Sequence, residues 1–252
     1  MKIEGHRFLK LRRTLIDVSC AESRREGILL YRPGRWWLRW IPVVMSWFAW
    51  LPWSGKRLEC LNVRMFGCSN GGGHSGKTLA EVWEKIEEVI GACKFVTIYL
   101  GNGSEKSKLT IEARLESGRD VIVKLGNTRA AADAIRNEWE VLKKFRVSSF
   151  RSQVPEVIGG VGCVGEWTWS VQTVLPRGKS PNRLQKEHFE FLEKLKEVGV
   201  SHGDFAPWNC TIVEGRLVAW DWEDAGPWVK GKDEGWFRKQ VKELLGVEEE
   251  KV

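Results

Sequence analysis

The chain has 252 residues, 42% of them hydrophobic, enough to bury the core of one large domain or two small ones. Its six cysteines (Cys20, Cys60, Cys68, Cys93, Cys163 and Cys210) form no CxxC pair and have no histidine at ligand spacing, so neither a zinc knuckle nor a secreted disulfide framework is suggested and a reducing cytosol fits. The net charge of +7 equals the excess in residues 1–60 alone, 12 Lys/Arg against 5 acids, so that segment favours anionic partners and the rest of the chain is neutral.

The N-terminal segment holds six tryptophans between Trp36 and Trp53, in the run RWWLRWIPVVMSWFAWLPW. The apolar stretch of 18 residues contains Arg39 and is broken by Pro42 and Pro52, too short and too interrupted for a regular spanning helix of about 20 residues. It also begins too far from Met1 for a usual signal peptide. Trp and Arg together suit the interface of an anionic bilayer, and the same rings serve equally as ordinary core. The expected location is cytoplasmic, with peripheral association at the inner face of the membrane as the alternative the Trp–Arg run offers.

A glycine-rich run, GCSNGGGHSGK, breaks the chain and is the candidate boundary, and the basic extension with its linker is taken as residues 1–90. Within it, Gly71–Thr78 formally matches the phosphate-binding pattern GxxxxGK[ST]. That motif needs a parallel βαβ sheet and a downstream apolar strand ending in Asp, and the segments after Thr78 do not alternate in that way. A flexible glycine linker running into a helix start is the alternative.

Leu79, Val82, Trp83, Ile86, Val89 and Ile90 recur at helical spacing, predicting an amphipathic helix over 78–90. FVTIYLG and KLTIEARL alternate as strands, ESGRD reads as a turn, and VIVKL is a third strand. A helix follows over 130–145, then short strands over 156–161 and 169–175, and a helix over 185–197. This order of elements is α+β.

The most informative stretch is SHGDFAPWNCTIVEGRLVAWDWED, Ser201 to Asp224. If Cys210–Val213 and Arg216–Trp220 pair across a two-residue Glu214-Gly215 turn, Val213 faces Arg216, Thr211 faces Val218 and Asn209 faces Trp220. Asn209 and Asp221 then meet at the open end of the hairpin, an amide oxygen and a carboxylate suited to Mg²⁺ held partly by protein and partly by phosphate. Asp204, five residues before Asn209, is placed to face the same point, where a carboxylate that does not ligate metal accepts a proton from a hydroxyl.

His202-Gly203-Asp204 followed by Asn209, then Asp221-Trp222-Glu223, resembles the HGDxxxxN…DWE signature of the aminoglycoside phosphotransferase and choline kinase group, relatives of protein kinases. HGDFAPWN in particular resembles phosphotransferase-like proteins of bacterial surface-polysaccharide clusters. The resemblance implies a protein kinase-like two-lobed fold, with the N-lobe over 91–178 and a short C-lobe over 179–252 carrying the catalytic and metal loops. It makes Asp204 the catalytic base, has His202 shape the catalytic loop, and gives Asn209 and Asp221 to Mg²⁺.

The same resemblance requires a lysine on the third strand and an inward glutamate on the next helix. Lys124 ends VIVK, and Glu138 sits on the stripe of Ile135, Leu142 and Phe145, where a carboxylate is costly unless paired. Gly101 and Gly103 in GNGSEKS stand where backbone amides would cover nucleotide phosphates, although the spacing departs from GxGxxG and a plain hairpin turn fits as well. Backbone groups from Gln172 through Val174 to Leu175 fall where kinase relatives place the hinge that meets adenine. The implied cofactors are ATP and Mg²⁺, the implied partner a hydroxyl-bearing small molecule or saccharide, and no nucleic acid is expected.

Only 31 residues follow Asp221, where the group usually continues with helices that wall the acceptor pocket. The expected C-terminal lobe is therefore minimal. Two rival readings are a nucleotide-binding pseudokinase acting as a scaffold and a membrane-surface binding module driven by the basic arm.

Overall fold

A computed structural model describes residues 8–11, 14–17, 79–101, 104–176, 178 and 180–245. The Trp-rich run and the Gly71–Thr78 motif lie outside the described residues, as does Gly103. Four α-helices are described: α1 (Leu79–Ile90), α2 (Arg129–Phe145), α3 (Lys186–Glu197) and α4 (Lys232–Leu245). The strands are β1 (Phe8–Leu11), β2 (Thr14–Asp17), β3 (Cys93–Leu100), β4 (Leu109–Leu115), β5 (Asp120–Gly126), β6 (Val157–Val164), β7 (Trp167–Thr173), β8 (Val200–Ser201), β9 (Cys210–Val213), β10 (Arg216–Ala219) and β11 (Gly226–Pro227). The chain divides into two compact units, residues 1–132 with 159–171, and residues 133–158 with 172–252.

The main sheet has the order β1-β2-β3-β4-β5-β7-β6. Its centre follows from alternation: Ile98, Ile111 and Val123 are buried and lie in register across β3, β4 and β5. Gly118, at φ +83°, turns β4 into β5, with Leu115 N–H donating to Arg119 O at 2.8 Å, so ESGRD is the turn its sequence predicts. Cross-strand packing also explains Gly162, where a Cβ would stand 2.1 Å from the Trp169 indole. α1 buries Val82, Trp83 and Ile86 of the expected stripe, whereas Val89, in its last turn, is exposed.

One addition was not anticipated. Phe8–Leu11 and Thr14–Asp17 form a hairpin on the sheet's edge, with Leu15 opposite Ile98. Four-residue strands are too short for periodicity to announce them. Among the described residues no helix is long and apolar enough to cross a membrane.

The second unit is built round an aromatic core. Phe145 and Phe150 lie 5.0 Å apart, Phe145 meets Trp222 edge-on at 4.8 Å, and Phe191 meets Phe150 at 5.8 Å. Val141, Leu142, Leu195, Phe205, Leu217 and Phe237 complete it, so α2, α3, α4, the 202–210 loop and the β9–β10 hairpin share one interior. Gln153, in a short 3₁₀ turn, ties the hairpin in by donating from Nε2 to Leu217 O at 2.6 Å and accepting from Lys194 Nζ at 2.7 Å.

His188 is fully buried in this core. Its Nδ1 accepts the Gln185 N–H at 3.1 Å, closing the N-terminus of α3, and its ring lies 4.8 Å from Phe237. Burial outweighs the nearby Glu187 carboxylate and pushes the pKa down from 6.5 to about 4. The unfolded chain thus binds a proton that the folded chain refuses, so stability present above about pH 6.5 drains away as pH falls towards 4. His188→Asn, whose Oδ1 can take over as acceptor, is expected to flatten this acid slope by an amount on the order of 3 kcal/mol. Urea midpoints between pH 7 and pH 4.5 measure it, and an unchanged slope would contradict the assignment.

Candidate active site

The β9–β10 hairpin has the predicted register: Val213 faces Arg216, Thr211 faces Val218, and Trp220 N–H donates to Asn209 O at 3.0 Å. Its turn residues, Glu214 at φ +51° and Gly215 at φ +71°, have the paired positive φ values of a tight hairpin turn that matches strand twist. Asn209 and Asp221 consequently flank the open end. Asp221 itself sits at φ +68°, a left-handed conformation uncommon outside glycine that aspartate tolerates better than most residues.

Asp204 and Asn209 are joined directly. Asn209 Nδ2 donates to Asp204 Oδ2 at 2.9 Å and to Asp204 O at 3.0 Å. That spends the amide nitrogen on the loop and leaves Oδ1, the hard oxygen, for a cation. Among the described residues no group of three or more His, Cys, Asp or Glu forms a metal centre by itself. A divalent ion held by Asn209 and Asp221 would therefore complete its shell with phosphate and water, which is how Mg²⁺ is usually bound beside a nucleotide.

His202 is fully buried and acts on the loop from behind. Its ring stacks obliquely 4.3 Å from Trp222, and its Nε2 donates to Trp220 O at 3.0 Å. Burial pushes its pKa below the usual value against the opposing pull of Asp233, the Trp220 carbonyl, Asp221 and Asp204. The ring is thus neutral, and its Nδ1 has no hydrogen-bond partner among the described residues. Gly203 next to it is irreplaceable on space: at φ +88°, a Cβ would stand 1.9 Å from Asp224 O.

Two residues that sequence reasoning missed hold this loop. Asp233, 5% exposed in the first turn of α4, accepts the His202 N–H at 2.8 Å and the Gly203 N–H at 3.0 Å. Trp236, one turn on, donates from Nε1 to Asp204 Oδ1 at 2.6 Å. The only signal available was KDEGW itself, an acid near a helix start, which is too common to single out.

Glu138 is buried at 1% exposure on α2, as its place on the apolar stripe requires, and its Oε1 accepts the Trp222 N–H at 3.1 Å. Asn137 donates from Nδ2 to Glu223 O and Ala225 O, both at 2.9 Å. Adjacent side chains of α2 therefore grip the DWE segment by its backbone, a contact not foreseen. Trp222 is the segment's fully buried anchor, with Nε1 donating to Ala219 O at 3.2 Å.

Of the remaining predicted residues, Lys124 and Gly101 belong to the first unit and Gln172 and Val174 to the second. Lys124 is on β5, 5% exposed and in register with Thr110. Gly101 closes the β3–β4 hairpin so tightly that a Cβ would fall 2.8 Å from Ser107 Cβ and 2.9 Å from Lys108 O. Gln172 is buried near the end of β7 and Val174 is half-buried just beyond it, with Thr173 N–H donating to Glu156 O at 2.9 Å.

No family model matches the chain, and no curated protein matches it. Solved structures similar to it include amicoumacin kinase hAmiN in complex with AMP-PNP, Ca²⁺ and its ligand, at 12% identity over 69% of this chain and 72% of that one, with a TM-score of 0.45. The streptomycin–ATP complex of APH(2″)-IIa is similar at 10% identity over 68% of this chain and 82% of that one, with a TM-score of 0.48. A kinase domain is similar at 13% identity over 52% of this chain and 51% of that one, with a TM-score of 0.38.

Proposed function

We propose that the protein is a phosphotransferase that moves the γ-phosphoryl group of ATP to a hydroxyl of a small molecule or saccharide, with Mg²⁺ as the companion ion. The observation that carries this is the Asp204–Asn209 pair, a carboxylate and an amide joined at 2.9 Å in a loop pinned by Asp233, with Asp221 at the end of the same hairpin. Asp204 orients the acceptor hydroxyl and takes its proton. Asn209 and Asp221 hold the divalent ion, which when bound neutralises charge on the transferring phosphoryl group.

Lys124, the buried lysine of β5, is assigned to the α- and β-phosphates, and Glu138 to the support of the DWE segment through the Trp222 N–H. The Gly101 hairpin would cover the phosphates, and backbone groups from Gln172 to Val174 would meet the base. The basic excess of residues 1–60 favours an anionic, envelope-associated acceptor over a polycationic drug. A cytoplasmic location is proposed with it.

Thermal-shift titration with ATP, ADP and GTP, with and without Mg²⁺, tests the core of this. The wild type is expected to gain about 2.7 kcal/mol at a hundredfold excess of nucleotide over Kd, only with Mg²⁺. Asp221→Asn, which removes the charge while tolerating the left-handed backbone, is expected to lose that gain. A wild type that no nucleotide stabilises would overturn the proposal.

A further inference from the structure

We propose that Trp236 is a positioning residue for Asp204, fixing the carboxylate in the orientation its role requires; the inference rests on the phosphotransfer reading above. The Asp204 side chain is held at both oxygens by donors from different elements. Asn209 Nδ2, from its own loop, binds Oδ2 at 2.9 Å, and Trp236 Nε1, from α4, binds Oδ1 at 2.6 Å. One donor would leave the carboxylate free to rotate about that contact. Two donors on opposite oxygens fix its plane, and each oxygen keeps a second lone pair for an incoming hydroxyl.

An indole N–H donates only, so Trp236 cannot take the transferred proton and acts through Asp204. The helix that presents it is registered to the same loop. Asp233 and Trp236 stand three residues apart, on one face of α4, and Asp233 binds the His202 and Gly203 amides while Trp236 binds Asp204. Three consecutive loop residues are therefore read by one helical turn. The ring itself is steadied by Lys239, whose Nζ lies 5.2 Å from its centroid, and the neighbouring Phe237 and Gln240 are buried. α4 thus sets the base's geometry from outside the HGDxxxxN motif.

The test uses the full chain with ¹⁵N-labelled tryptophan. The Trp236 indole resonance is identified by its loss in Trp236→Phe, or in Trp236→Tyr if the first variant folds poorly. In the wild type this N–H is expected to be protected from solvent exchange, and in Asp204→Ala to shift and to exchange at least about tenfold faster. A resonance indifferent to Asp204→Ala would overturn the proposal.

Trp236→Phe is also expected to lower kcat for Mg·ATP hydrolysis about tenfold to a hundredfold, with KM for ATP unchanged and partial recovery in Trp236→His, which restores a ring donor. A loss in KM instead, or a kcat within twofold of wild type, would overturn positioning. If ATP fails to stabilise the wild type at all, the phosphotransfer reading fails separately, and the indole comparison still decides whether Trp236 holds Asp204.

Discussion

Asp204→Ala is expected to lower Mg·ATP turnover about 10²–10⁴-fold, the range for loss of a general base, while nucleotide-dependent thermal stabilisation stays at the wild-type value. The separation follows from how the loop is bonded. Asn209 Nδ2 keeps its bond to the Asp204 backbone oxygen at 3.0 Å when the carboxylate is removed, so the amide that would face the ion retains its orientation. The loop backbone keeps its two bonds to Asp233. Trp236 Nε1 loses its acceptor, but that residue is only half-buried and water can replace the carboxylate. ADP release in a coupled assay, run beside the thermal-shift titration, gives both quantities. Equal loss of nucleotide binding in Asp204→Ala and Asp221→Asn would contradict the division of roles between base and metal ligand.

Gly203→Ala is expected to be the most damaging single methyl group in the second unit, destabilising by more than about 4 kcal/mol. The new Cβ would meet the Asp224 carbonyl oxygen at 1.9 Å and its carbon at 2.5 Å, so backbone must move against backbone. The residue is also held at φ +88°. Gly215→Ala separates the two effects, because at φ +71° its Cβ would meet nothing within 4 Å. It is expected to cost only the conformational strain, about 1–2 kcal/mol. Urea denaturation of the two variants side by side checks the difference, and similar losses would show that φ, and not the approach of residues 203 and 224, dictates the glycine.

The hairpin register was legible because a two-residue Glu-Gly turn between short alternating strands leaves few pairings, and Thr211 opposite Val218 followed from counting. The inward face of Glu138 was legible because its place on the stripe of Ile135 and Leu142 is a matter of helical period. Its bond to the Trp222 N–H was not: Trp222 lies 84 positions away, and no periodicity reports a bond between a helix and a distant backbone amide.

Asp204, Asn209 and Asp221 were legible from local chain, since five residues of loop and one hairpin separate them and the hairpin sets Asn209 beside Trp220. Asp233 and Trp236 belong to the other class. Their sequence carries no unusual signal, and α4 acquires its role only when burial of Phe237 against His188 and Phe205 seats the helix, so that one polar turn meets the loop. Residue type and short spacing determine which groups can do chemistry; the aromatic core, which couples segments thirty to ninety residues apart, decides which of them are held still.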